Sequence, residues 1–374
     1  MESRQDKLCK HTSKNHRVQY IPNLMNELYR NKWVLYYTAA ILLITLVFSQ
    51  VTKLPFQLNL FTYLDIIIAS CCIILFAISA CYYCVLLVKS KTPGHDFLVW
   101  LKPLFFPLSR PALFFILLLC INICFSSYTF IKSSIPYLVP FYLDENWHKL
   151  DLWLHFDITP WHITHSLFPT PTATLVINVL YNLWFFVKWG VVIFFILYRQ
   201  DDKLRTQFLV TFLASWLVIG NISATILSSA GPVFMQPLFD VNHYQPLMER
   251  LANQNFALLN SNSLPIWALD TQAMLLEHYL QNENSLGSGI SAMPSMHVTI
   301  ATLIAISVSK LNRWGGALAW LYALSIQIGS VHLGWHYAVD GYVGVILTIL
   351  LWKLVGWLLI RTRLTSDINH HLTN

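Results

Sequence analysis

The chain has 374 residues, of which 56% are hydrophobic and 11% charged, and that charged fraction is about half of what a soluble domain carries. Composition therefore excludes a soluble globular enzyme and predicts an all-α protein, a polytopic membrane helical bundle. The net charge of +6 is spread over several short segments with no single basic face, so no nucleic-acid partner is expected.

Eight apolar stretches, 33–51, 64–88, 112–131, 174–198, 207–229, 295–309, 316–333 and 339–360, form the expected spans, each measured against the roughly 30 Å of hydrocarbon that about 20 helical residues cross. The first follows a long basic segment with no small-residue cleavage site, so it is expected to stay as a span and not to be removed as a signal peptide. Six of the seven cysteines fall inside apolar spans, where buried inert thiols are the expectation. The "CYYC" at 81–84 has redox-motif spacing, but no basic neighbour is present to lower a thiol pKa, and no redox role is assigned to it.

Eight spans place both termini on one side, and 18 of the 24 Lys and Arg residues lie in segments 1–32, 89–111, 199–206, 310–315 and 361–374. The positive-inside rule makes that side cytoplasmic. The opposite face then carries two long loops, 132–173 and 230–290. The first contains "LDENWHKLDLWLHFDITPWHITH", whose Trp147, Trp153 and Trp161 are spaced as an interfacial belt requires. Its histidines 148, 155, 162 and 165 are poorly placed to share one helical face, with Pro160 interrupting the run. An amphipathic helix on the membrane surface is expected there, with no metal site.

Ionisable residues at span ends point to function. The sixth span opens with "MPSMH", Met293 to His297, and the seventh meets the eighth at "SVHLGWHYAVDG", Ser330 to Gly341. One crossing separates the two motifs, so both lie at the extracytoplasmic side. His336 and Asp340 are four residues apart, one helical turn, and the carboxylate is expected to accept the Nδ1–H and leave Nε2 bare. His297, from the adjacent helix, is a second imidazole suited to protonating a leaving oxygen. Ser295 and the free N–H groups at the start of that helix form an anion site. The sixth span runs only from Ser295 to Ser309, roughly 22 Å of helix, so its His297 end is expected to be sunk within the protein.

At these residues the sequence resembles the type 2 phosphatidic acid phosphatase superfamily, whose members share a helical core with vanadium haloperoxidases. The superfamily pattern runs K-x6-R-P, then P-S-G-H, then S-R-x5-H-x3-D. "PSMH" matches the second part with Met296 in place of Gly, and "HYAVD" matches the end of the third. "ISAMPSMHV", with "SSAGPVF" at 228–234, is most similar to the branch that contains inositol phosphorylceramide synthases. The resemblance implies that His336 is the nucleophile forming a phosphohistidine, Asp340 its orienting carboxylate, His297 the proton donor to the leaving group and Ser295 a phosphate contact. It implies no metal and no other cofactor. The implied substrate is a phospholipid or an isoprenoid phosphate within membrane lipid, handled by a lipid phosphatase or phosphotransferase.

Two parts of the pattern are missing. The position of the third-motif arginine is Ser330, and "SSAGP" stands where the first motif is expected, while the cytoplasmic "KPLFFPLSRP" from Lys102 to Pro111 has one residue too many. A phosphate still needs cationic partners. His332 is one candidate, either for the phosphate or as a structural histidine. Lys188 and Arg250 are two more, unless Lys188 pairs with a buried carboxylate or snorkels and Arg250 is a solvated loop residue. The expected organisation is an N-terminal cytoplasmic segment with three accessory spans over 1–135, a phosphatase-like membrane domain over 136–362 and a cytoplasmic tail over 363–374, in a bacterial inner membrane or its equivalent. Two other function classes fit parts of this pattern. A lipid or solute transporter would use the buried ionisable groups as a relay, although no internal repeat is visible; a catalytically inactive lipid-binding relative would account for the absent arginine.

Overall fold

The computed structural model describes residues 24–56, 58, 63–281 and 289–372, and every regular element among them is a helix. The basic segment before Leu24 and the loop residue Gly287 lie outside the described residues. In chain order the helices are α1 (Leu24–Arg30), α2 (Lys32–Thr52), α3 (Leu64–Lys89), α4 (Pro93–Phe105), α5 (Ser109–Leu138), α6 (Asp144–Leu154), α7 (Pro160–Leu167), α8 (Pro171–Leu197) and α9 (Asp202–Leu217). A π-helical segment, Val218–Ser223, prolongs α9 before the chain turns into α10 (Gln245–Asn260), α11 (Trp267–Leu280), α12 (Met296–Leu311), α13 (Arg313–His332) and α14 (Ala338–Leu372).

Among the described residues six helices are long and apolar enough to cross a membrane, with windows in α2, α3, α5, α8, α14 and the run from Asp202 to Ile226. They mark an integral membrane protein. Large apolar side chains cover their outer faces, Phe76 being 76% and Val88 86% exposed, a surface that hydrocarbon tolerates and water does not. The other two expected spans are also helices, α12 and α13, but α12 is short and α13 is not among the six.

The shortness of α12 follows from its position. Val298, Thr299, Ile300, Ala301, Thr302, Leu303, Ile304 and Ala305 are all buried, and a helix buried around its whole circumference is a core helix, not a lipid-facing one. It packs against α8, α9, α13 and α14, and this bundle centre carries the "PSMH" motif at its N-terminal end. We refer to that end of the molecule as the loop end.

At the other end the ionic groups are paired. Arg30 holds Asp202 in a bidentate pair at 2.7–3.0 Å, and Arg199 reaches Glu27 at 2.6 Å. Glu27 is fully buried, and Arg205 closes the cluster on Asn31. These bonds tie α1 to the α8–α9 hairpin. Because removing one member of a buried pair leaves an uncompensated charge, Glu27→Ala is expected to destabilise the protein by about 3 kcal/mol. Thermal unfolding in detergent measures this, and an unchanged midpoint would show that the cluster is ornamental.

Candidate active site

The site is built where α13 hands over to α14. After His332 the chain turns through Gly334, whose φ of 75° lies in the left-handed region that glycine adopts without strain. The N–H groups of Trp335 and His336 both donate to the Ser330 carbonyl, at 3.0 and 3.1 Å. This folds His336 back beside the first turn of α14, where its Nδ1 meets Asp340 Oδ2 at 3.1 Å. The same oxygen accepts the Tyr337 N–H at 3.1 Å. Asp340 is fully buried and His336 9% exposed.

Two carboxylates from α6 fix this corner. Asp151 accepts the N–H groups of Ala338 and Val339 at 2.7 and 2.9 Å, satisfying two of the orphan donors at the start of α14, where a negative charge also complements the helix dipole. Asp144 accepts the N–H groups of Ala230 and Gly231, each at 2.8 Å, and the Tyr337 hydroxyl at 2.9 Å. The "SSAG" loop is thereby pressed against the histidine turn: a Cβ at Gly231, where φ is 103°, would stand 2.9 Å from the Trp335 carbonyl oxygen. Only glycine fits there. Thus α6 has its polar stripe of Asp144, His148 and Asp151 buried, while Trp153 is 74% exposed.

His297 comes from the first turn of α12. Trp184 Nε1 donates to its carbonyl at 3.0 Å, and the rings of Tyr181 and Trp184 lie 4.6 and 4.3 Å from the imidazole, the former nearly parallel to it. The His297 and His336 rings are 6.5 Å apart. Both line a cavity of about 500 Å³, whose mostly apolar wall includes the rings of Phe125, Tyr128, Tyr181, Trp184, Phe185, Trp216 and Trp335. Gly220 of the π-helical segment also lines it, in keeping with the frequent placement of π-bulges at functional sites. Burial pushes the His336 imidazole down to about 3, helped by the Lys132 ammonium and opposed by the Ala292 backbone, so the ring is neutral near pH 7.

The other expected site residues are placed as follows. Ser295 caps α12, donates its N–H to the Asp340 carbonyl at 3.1 Å and keeps its hydroxyl buried without a partner; its neighbours Pro294, Met296 and His297 line the cavity, but it does not. His332 points the other way: it is fully buried, stacks on His165 and bonds Thr174 and Thr164. Arg250 donates to His165 Nδ1 at 3.0 Å and to the Pro169 carbonyl, and it is not among the residues that line the cavity. Neither residue reaches the cavity, because both are committed to packing α7 and α10 against α8 and α13. Lys188 is buried in a cage of rings, with Nζ between 4.6 and 5.7 Å from the centroids of Phe125, Trp184, Phe185, Trp189 and Trp216, and it does not line the cavity either. Gly289 has a φ of 100° and borders the cavity.

Three polar residues at the site were not singled out from the sequence. Asp144 and Asp151 are seven residues apart, two turns on one helix face, a spacing that was visible but carried no motif. Lys132 was counted only as a loop charge, yet it sits in α5 and lines the cavity with both histidines.

Residues 145–354, more than half of the chain, match the family model of the PAP2 superfamily. The chain belongs to that superfamily, whose members are generally phosphatases. No curated protein and no solved structure matches it.

The Asp151 cap carries a pH signature. Burial pushes its carboxyl up to about 6, against the two backbone N–H groups that favour the charged form. A raised folded-state value means that the fold favours the protonated acid, so this contribution is greatest below the ordinary carboxylate value and is lost as pH rises through 6. Asp151→Asn keeps an acceptor without the titration. The melting temperature of the wild type is therefore expected to fall more between pH 4 and pH 7 than that of Asp151→Asn; equal slopes would refute the titration of this cap.

Proposed function

We propose that this PAP2-superfamily protein is a lipid phosphatase or phosphotransferase that works through a phosphohistidine at His336, on the extracytoplasmic face of a bacterial inner membrane or its equivalent, with both termini cytoplasmic. The observation that carries the reading is the His336–Asp340 contact at 3.1 Å facing His297 across the cavity, ring to ring at 6.5 Å. With Nδ1–H donated to Asp340, Nε2 bears the lone pair. It attacks phosphorus, the P–O bond to the leaving alcohol breaks, and His297 gives that oxygen its proton. Water or a second alcohol then attacks the phosphorus, giving its proton to His297 as the new P–O bond forms and the P–N bond breaks, which frees His336. The two outcomes, hydrolysis and transfer, differ only in that second nucleophile.

An aromatic, largely apolar cavity suits a phospholipid or isoprenoid phosphate delivered from membrane lipid, and the resemblance of "ISAMPSMHV" and "SSAGPVF" to inositol phosphorylceramide synthases favours transfer of a phosphorylated headgroup to a lipid or glycan alcohol. Helices α1 to α5 precede the family-matched region and act as an accessory unit beside it.

Purified protein in detergent, incubated with labelled phosphatidic acid, isoprenyl pyrophosphate or phosphatidylinositol with and without alcohol acceptors, is expected to turn over at least one of them. His336→Ala should abolish that turnover, by roughly 10⁴-fold or more, as loss of a covalent nucleophile does. Equal turnover by both proteins on all substrates would end the assignment. His297→Ala is expected to cost about 10²–10⁴-fold on a lipid ester and much less on p-nitrophenyl phosphate, whose leaving group needs little protonation. An equal loss on both would remove His297 from the general-acid role.

A further inference from the structure

A phosphate group transferred into a cavity walled by aromatic rings must meet a positive charge there, because an anion unpaired in a low-dielectric site is costly. The usual arginine position is Ser330, fully buried, with its hydroxyl donating to the Gln327 carbonyl at 2.8 Å. Arg250 is spent on His165 and Pro169. Lys188 stands behind Phe125, Trp184, Phe185 and Trp216, which are themselves cavity wall. Among the described lining residues Lys132 is the one lysine or arginine. Its stem runs beside the backbone of Gly289, where an added Cβ would sit 3.5 Å from Lys132 Cγ, and its Nζ is 5.9 Å from the Tyr128 ring centroid.

We infer that Lys132 is the phosphate-binding cation of this site, contributed by α5 from outside the family-matched segment. The inference rests on the reading of His336 as nucleophile. An ammonium in this place neutralises the oxygens that gather charge as phosphorus is attacked, and its three N–H donors can bond more than one of them. It also gives the accessory helices a chemical part: the anion site is incomplete without α5. Residue 132 falls in the last two turns of that helix, so the ammonium rises from a span already anchored by Phe125 and Tyr128, two further residues of the cavity wall.

Orthovanadate, a phosphate-shaped oxyanion, tests this on the full-length protein in detergent. Wild type is expected to be inhibited on phosphatidic acid and to gain melting temperature with added orthovanadate. Lys132→Met, close in length and uncharged, should weaken orthovanadate by roughly 10- to 100-fold, the worth of a charge-assisted hydrogen bond, with its own melting temperature retained. Lys132→Arg should recover most of the loss, which a structural role for the lysine stem would not explain. If Lys132→Met binds orthovanadate as wild type does while His336→Ala is inactive, the lysine assignment is overturned and the catalytic reading stands. If wild type shows neither turnover nor stabilisation by orthovanadate, both are overturned.

Discussion

The geometry of the site depends on one interaction, the capping of the α14 N-terminus by Asp151. Asp151 holds the first turn of α14 through two charge-assisted bonds of 2.7 and 2.9 Å, and the Asp340 carbonyl in the same turn accepts the Ser295 N–H at 3.1 Å. Once that turn is held, Asp340 and the preceding His336 are held with it. Asp144, two turns earlier on α6, extends the same control to the "SSAG" loop and to the Tyr337 hydroxyl. A single short helix thus positions His336, Asp340 and the loop that faces them.

This arrangement inverts the usual logic of an amphipathic surface helix. In α6 the buried stripe is acidic and the exposed side includes Trp153, because in this position the inward neighbours are backbone N–H groups with no helical partner. The same economy appears at α12. Thr299, Thr302 and Ser307 are buried with Ile300, Ala301, Ile304 and Ala305, and small side chains let the surrounding helices approach closely. That close packing leaves α12 too short to face lipid and puts His297 inside the protein beside the cavity.

Much of this was legible in the sequence. The apolar runs located every expected span as a helix, because a helix period is a local signal, and the four-residue spacing of His336 and Asp340 anticipated their contact, although His336 sits in the turn before α14 and not on the helix itself. The positions of His332, Arg250 and Lys188 were not legible. His332 and Lys188 are polar residues in apolar spans and Arg250 lies in the 230–290 loop, and composition alone cannot say whether the partner of each is substrate, another histidine or a cage of aromatic rings. Asp144 and Asp151 escaped for a related reason, since their partners are backbone groups some 80 to 190 residues away and backbone groups leave no mark in a sequence. Lys132 was hidden because the apolar run ends at 131, so it was placed in the 132–173 loop, whereas the helix continues through it to Leu138.

Covalent chemistry at His336 is the claim on which the functional account rests. Rapid quenching of the protein with a phosphate-labelled lipid substrate, followed by peptide mapping, tests it most directly. The account predicts an acid-labile, alkali-stable phosphoryl adduct on the peptide containing His336, absent in His336→Ala. Turnover with no adduct, or an adduct on any other residue, would contradict it.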